Sequence, residues 1–384
     1  MGSTPLIHLT RSQEYQRPTA DLSAVVVAAR AGGIATVKML MLVSAPVTPS
    51  LREDAARGTR PKPEYLSLEG RYGVELLDWT RLGLSGGHRS VVRSLTHALA
   101  GLRRARGYDA VFSDGEHLGI PLGAAMSSLR MRIPHLMIGH NLLAPAKARL
   151  LRYLSIPGVD LAVVHSAGQI DRIVSDTAIP RTKLAVVPYG VDTRFWSSLA
   201  APATSVEADL VVSAGREHRD YRTLVEALPR DARLCIADHS LFTPRATRED
   251  PAIWPATVER VGLGPAGLRD LYAKAAVVVV PVVETLMPAG ITTLLEAMAM
   301  GKALVVTETS GLRGIVEHGR TGLVVPPGDP RAMRAAIEQL LASPDECIAL
   351  GARARHEAVA RYDVEVFADA LGACFARLSD NGCR

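Results

Sequence analysis

Two arginines and a glycine-led helix start are the residues of this sequence best placed to do chemistry. The stretch 209–221, DLVVSAGREHRDY, runs from an apolar strand into Gly215 and Arg216, with Arg219 three positions on. Guanidiniums at a strand end suit a polyphosphate, because each is a planar fork of donors that keeps its charge. The same residues also fit a solvated turn in which Glu217 and Asp220 take up the charge. Further along, a second apolar strand ends at Pro281, and Ala289-Gly290-Ile291-Thr292 opens a helix. Free N–H groups and the positive dipole end at a helix start attract anions. Gly290 lets a ligand approach the backbone closely. Glu296 lies one turn deeper, where a carboxylate either accepts hydrogen bonds from a vicinal diol or faces solvent. His140 directly follows the run 134–139 and is expected to point beyond the strand end. His135, earlier in that run, reads as structural. Asp114 follows the run 109–113 and is expected to cap the next helix.

Residues at strand ends need a parallel sheet to hold them. Strands are expected at 38–44, 109–113, 134–139, 160–164 and 184–187, with helices at 88–106, 119–130, 143–154 and 166–176 between them. A linker rich in Ser, Ala and Pro follows at 197–206. The pattern then restarts, with strands at 209–214, 233–237, 257–261, 276–282, 303–307 and 322–325. Its helices are expected at 221–228, 267–274, 290–300 and 331–342. Apolar runs separated by helices imply right-handed crossovers and parallel sheets. The chain therefore divides into α/β domains at 37–196 and 205–357, after a poorly ordered extension at 1–36. A last helical stretch, 350–378, has no strand partner and is expected to cross back to the first domain over about 358–380. Ligands of such sheets sit beyond the carboxyl ends of the strands, so two facing domains make one cleft.

Composition narrows the classes. A chain of 384 residues is long for one core and comfortable for two. Aromatics are only 4%, so the cores must be built from Ala, Val and Leu. The net charge of +5 suits anionic ligands or a membrane surface. The arginines are scattered among acids, which disfavours nucleic acid as a partner. The four cysteines form no CxxC pair, and no Cys/His cluster has metal-ligand spacing, so reduced thiols are expected. Segment 23–44 is interrupted by Arg30 and Lys38 and is not a membrane span. Glu14 and Asp21 disfavour a signal peptide. No GxGxxG follows the first strand, and no GxxxxGK[ST] occurs.

The run LLEAMAMGKALVVTETSGLRGIVEHGRTGLVVPPGD (294–329) resembles the C-terminal signature of family 4 glycosyltransferases, which have the GT-B fold and transfer sugars with retention. The likeness continues through LRDLYAKAAVVVVPVVET and VVPYGVDTRFW. It covers most of 109–375, while 38–108 match weakly. The resemblance implies two Rossmann-like domains across a central cleft, with a UDP- or GDP-sugar donor on the second. Gly215, Arg216 and Arg219 fall where the family carries a glycine and two cations that neutralise the departing diphosphate. Backbone amides over 289–292 would hold a phosphate. Glu296 falls on the second glutamate of the family's E-x7-E motif, which contacts the donor ribose. The first glutamate is replaced by Pro288, and Glu284 is the nearby carboxylate left to stand in. His140 falls on a strand-end histidine that contacts the donor sugar. There is no DxD, so neither metal nor cofactor is expected. The acceptor, a glycan, glycolipid or small molecule, is expected on the first domain, where Asp114, Glu116 or His117 would be weaker candidates to meet it. Basic residues at 52–62 and 89–106 are candidates for anionic lipid, in a cytoplasmic protein resting at the inner face of the membrane. Two further readings share the fold. One is a sugar-nucleotide epimerase. The other, motivated by Pro288, is a binding protein that has lost turnover.

Overall fold

The computed structural model describes residues 38–83, 91–201, 205–238 and 254–382. The extension 1–36 and residues 88–90 of the expected first helix lie outside them.

The first half runs β1 (Met39–Val43), α1 (Pro49–Arg57), α2 (Glu64–Tyr72), β2 (Glu75–Asp78), α3 (Val91–Ala105) and β3 (Ala110–Ser113). It continues with α4 (Glu116–Ser128), β4 (His135–Ile138), α5 (Pro145–Leu154), β5 (Leu161–Val164), α6 (Gly168–Asp176) and β6 (Leu184–Val186). Its strands form one sheet in the order β2-β1-β3-β4-β5-β6. The second half runs β7 (Glu207–Ala214), α7 (Tyr221–Ala227), β8 (Arg233–Ala237), β9 (Val258–Val261), α8 (Pro265–Lys274) and β10 (Ala275–Val280). Then come α9 (Ile291–Ala299), β11 (Ala303–Thr307), β12 (Leu323–Val325), α10 (Pro330–Ala342), α11 (Pro344–Arg361) and α12 (Val364–Gly382). Its sheet has the order β12-β11-β10-β7-β8-β9. Every pairing between these strands is parallel.

Local chemistry explains the elements. Parallel strands buried on both faces need continuous apolar runs, and AAVVVV of β10 and MLMLV of β1 are such runs. α10 starts where Asp329 accepts from the N–H groups of Arg331 and Ala332, with Pro330 in the first turn. Asp220 caps α7 by accepting from Thr223 N–H.

The segment 45–108 holds elements the sequence pattern did not disclose: α1, α2 and the edge strand β2. The expected single stretch 350–378 is two helices, because the chain breaks at Tyr362 and Asp363. There it lies beside the earlier crossing. Val191 N–H donates to Tyr362 O at 2.8 Å, and Val364 N–H donates to Val191 O at 2.9 Å. Asp363 also accepts from the hydroxyl of Thr193. Beyond this break α12 packs on the first sheet as expected. Phe367, Leu371 and Phe375 join the core of Met41, Val43 and Phe112. Phe375 meets Phe112 edge to face at 5.5 Å, a favourable aromatic geometry.

Candidate active site

β7 ends at Ala214, and Gly215 turns the chain with φ 94°. The turn brings Arg219 back under the strand end. Its Nε donates to Ala214 O (2.8 Å), its Nη1 to Glu217 O (2.9 Å) and its Nη2 to Thr293 Oγ1 (2.9 Å). Thr293 belongs to the first turn of α9, so the guanidinium bridges two sequence segments. A Cβ on Gly215 would lie 2.3 Å from Nη2, and one on Gly290 would lie 3.3 Å from Nη1. Both positions therefore need glycine, for space as well as for positive φ. Each Nη keeps one further N–H. The loop is sewn down by Asp220 N–H to Pro281 O and by Val283 N–H to His218 O, both 3.0 Å.

The solvated-turn alternative does not describe Arg219, since Asp220 is used as the cap of α7 and Glu217 offers its carbonyl. Arg216 is half-buried beside it. Gly290, with φ 84°, begins α9 without a side-chain cap. Ile291 N–H bonds back to Pro288 O. The amides of Thr292 and Thr293 are then the first helical donors with no carbonyl in their own helix. Ala289 and Ile291 are buried and fix this start, while Thr292 is exposed. Gly215, Arg216, Arg219 and 289–292 thus converge at the carboxyl ends of β7 and β10.

Glu296 sits one turn deeper and is half-buried. Tyr272 Oη donates to its Oε2 at 3.4 Å. Burial pushes its carboxyl up to about 8, against the opposing pull of the Tyr272 hydroxyl and the Arg219 charge. Glu284 is placed differently. It is exposed and accepts from Ser310 N–H at 3.1 Å, tying the loop before α9 to the loop after β11. The two loops touch so closely that a Cβ on Gly311 would lie 1.8 Å from Met287 O. Glu284 therefore holds the loop in position through Oε1.

On the first sheet, His140 is exposed at the end of β4. Its N–H donates to Glu116 Oε2 at 3.0 Å, and its Nε2 lies 2.8 Å from Asp114 O. A carbonyl only accepts, so Nε2 carries the proton and Nδ1 is the acceptor of the neutral ring. Lys147 Nζ pairs with Glu116. His135 is structural, held between Ser113 Oγ and Gly158 O. The capping role expected of Asp114 is a correction. Gly115 is the cap residue of α4, and no side chain caps it. β1 and β3 are neighbours, so the end of β1 claims this carboxylate first. Asp114 Oδ2 accepts from Ser44 N–H at 2.5 Å and from Ser44 Oγ at 2.8 Å. Its Oδ1 is buried with no partner among the described residues. Burial raises the group to about 6, although both Ser44 bonds lower it.

Sequence reasoning passed over His165 and Tyr189. His165 ends β5 just as His140 ends β4, so the same strand-end rule would have found it. Its Nδ1 faces Val187 O, and its Nε2 is buried without a partner among the described residues. Its ring lies 5.5 Å from that of His140 and 5.0 Å from that of Tyr189. Tyr189 also packs on the core of the second half, joining the two sides. The halves approach again where a Cβ on Gly168 would lie 3.2 Å from Ser310 O. Cys235, Cys347 and Cys374 are free thiols. Among the described residues, no three His, Cys, Asp or Glu side chains gather as a metal site would.

The family model for glycosyl transferases group 1 matches residues 216–343, a span that runs from Arg216 through Glu296. The chain is 27% identical over 282 residues to the α-maltose-1-phosphate synthase of Mycolicibacterium smegmatis, covering 63% of this chain and 72% of that protein. A D-inositol 3-phosphate glycosyltransferase of Corynebacterium urealyticum is 38% identical over 101 residues, 26% of this chain and 23% of that protein. Among solved structures, Anabaena HepE in complex with UDP-glucose superposes with a TM-score of 0.66 at 17% identity, covering 89% of this chain and all of the other. The sucrose-phosphate synthase of Thermosynechococcus elongatus gives 0.63 at 17% identity, over 90% of this chain and all of the other. The two parallel sheets and these neighbours define the GT-B fold. Residues 216–343 thus match the glycosyl transferases group 1 model, and the chain is an enzyme that transfers sugars.

Proposed function

We propose that the protein transfers a sugar from a UDP- or GDP-sugar to an acceptor, with retention of anomeric configuration and without a metal ion. The observation that carries this is Arg219, gripped between Gly215 and Gly290, bonded to Thr293, and next to the uncapped start of α9. A diphosphate there meets the two remaining N–H groups of Arg219, the charge of Arg216 and the amides of Thr292 and Thr293. Fixed donors of this kind stabilise charge that grows on the leaving group. Glu296 would hold the ribose diol, and His140 would meet the donor sugar from the other side. In the step itself the C1–O bond to the diphosphate breaks as the acceptor oxygen bonds C1 from the same face. The acceptor proton passes to the leaving phosphate oxygen. The free thiols at Cys235, Cys347 and Cys374 fit a cytoplasmic setting.

A panel of UDP- and GDP-sugars tested for thermal stabilisation is expected to name the donor, since a ligand of the native state raises apparent stability. Transfer with that donor should persist in a chelator and give the donor's own anomer by NMR. Activity abolished by a chelator and restored by Mg²⁺ or Mn²⁺, or an inverted product, would overturn this reading.

A further inference from the structure

We propose that the outer face of helices α3, α4 and α5 docks on an anionic lipid bilayer. These helices lie on one side of the first sheet. Leu42, Ser113, Met137 and Ala162 are successive register partners across β1, β3, β4 and β5, so their side chains share a face. α3 packs on Leu42 at Gly101, and α4 packs on Met137 at Gly119. α5 inserts Leu151 beside Met137 and Ala162.

Two observations separate this face from the rest of the molecule. The first is apolar exposure. Val91 and Val92 of α3 are 73% and 72% exposed, followed by Leu95 and Leu99. Tyr153 of α5 is 82% exposed, with Leu150 and Leu154 beside it. These are seven of the fourteen exposed large apolar side chains among the described residues. Scattered single examples need no explanation, but a concentration on one face does.

The second observation is charge. α3 and α5 contain no Asp or Glu, whereas every other α-helix among the described residues carries at least one. The one acid of α4, Glu116, is buried and paired with Lys147. Against this, Arg103, Arg104, Arg149 and Arg152 stand exposed. Of these, only Arg104 has a carboxylate near it among the described residues, Glu75 at 3.9 Å.

Apolar side chains at the surface with long cations around them are what a bilayer interface with anionic headgroups accepts: apolar groups enter, and guanidiniums reach phosphate. A second copy of the chain fits worse, because a self-complementary contact would set like charges against each other. The basic segment 52–62 is not part of this surface. There Arg52 is paired with Glu69, Arg57 with Asp54 and Lys62 with Glu365. Crossover helices run antiparallel to their strands, so the start of α3, with Val91 and Val92, lies toward the cleft end of the sheet. The proposal rests on this surface and is independent of the donor chemistry above.

Sedimentation of the full chain with vesicles tests it. Binding is expected to phosphatidylcholine vesicles that contain phosphatidylglycerol and to fall steeply with salt. Arg149→Glu with Arg152→Glu should weaken that binding by at least about tenfold. Leu95→Ser with Tyr153→Ser should weaken it at low and high salt alike. Both variants should keep their melting temperature and nucleotide affinity, because the altered side chains are exposed. No binding, equal binding to pure phosphatidylcholine, or unaffected variants would overturn the proposal. So would a dimer of the wild type, seen by light scattering, that Leu95→Ser dissociates, since the face would then belong to a second copy.

Discussion

The two sides of the cleft are finished to different degrees. On the second sheet, Arg219 has one N–H on each of its nitrogens bonded before any ligand arrives, and its loop is stitched to the next strand. On the first sheet, Asp114 Oδ1 and His165 Nε2 are buried with no partner among the described residues. A buried polar atom left unpaired costs roughly 1–3 kcal/mol, so a fold keeps few of them. The second half has such atoms too, Ser213 Oγ and Thr309 Oγ1, so the contrast lies between the bonded Arg219 cradle and the strand ends of β3 and β5 that face the cleft. That contrast parallels the family match, which spans the second half and leaves the first unmatched.

The contrast can be broken from either side. The largest effect is expected from Gly215→Ala. It forces a side chain into positive φ and sets its Cβ against Nη2, so the guanidinium must leave. Strain alone is of order 1–3 kcal/mol, and kcat/KM should fall by about a hundredfold or more. Arg219→Ala is expected to cost about 1.5–3 kcal/mol in donor affinity or turnover, the range for bonds to a charged group. Arg219→Lys should recover little of this, because an ammonium cannot span Ala214, Glu217 and Thr293 together. If isothermal titration and initial rates are unchanged in either variant, the cradle is not where the diphosphate sits.

A third prediction uses protons. Glu296 is protonated near neutral pH in the free protein, being raised to about 8. A ribose diol donating to it favours the carboxylate, so donor binding should release close to one proton. Affinity should then rise as pH increases toward 8. Titrations in buffers of different ionisation enthalpy read this directly, and Glu296→Gln should abolish it. Stability has the opposite slope. The folded group holds its proton more tightly than the unfolded one, so wild-type stability should decline as pH rises between about 4.5 and 8. The smallest effect is expected from Asp114→Asn, which should leave nucleotide affinity within about 0.5 kcal/mol, as for distant sites. If donor affinity collapses in this variant, the two sides are not independent.

Much of the fold was legible because parallel strands buried on both faces must be apolar along their whole length, as in β1, β7 and β10. The edge strand β2, ELLD, is short and flanked by acids, so periodicity gave no signal. α1 carries Arg52, Glu53, Asp54 and Arg57 in nine residues and buries only Leu51. The break inside 350–378 was hidden because Asp363 is spent on a contact 170 residues away. At the site, Gly215, Arg219 and Gly290 were readable from type and spacing. Asp114 was misread because a capping signal is local, whereas the competing Ser44 arrives through strand pairing. The bond of Glu284 to Ser310 was not readable, because it required the loop after β11 to be seen.

The paired crossings at Val191 and Asp363 have a mechanical consequence. Two connections lying side by side, hydrogen-bonded to each other, act as one pivot. Bending either segment alone would tear the bonds between Val191 and residues 362 and 364. The halves are thus expected to swing about a single axis, like a book about its spine, with the tail helix as part of the binding. A chain ended at Arg361 would lose more than a tail: Phe112 would be bared, and the spine would be cut to a single thread.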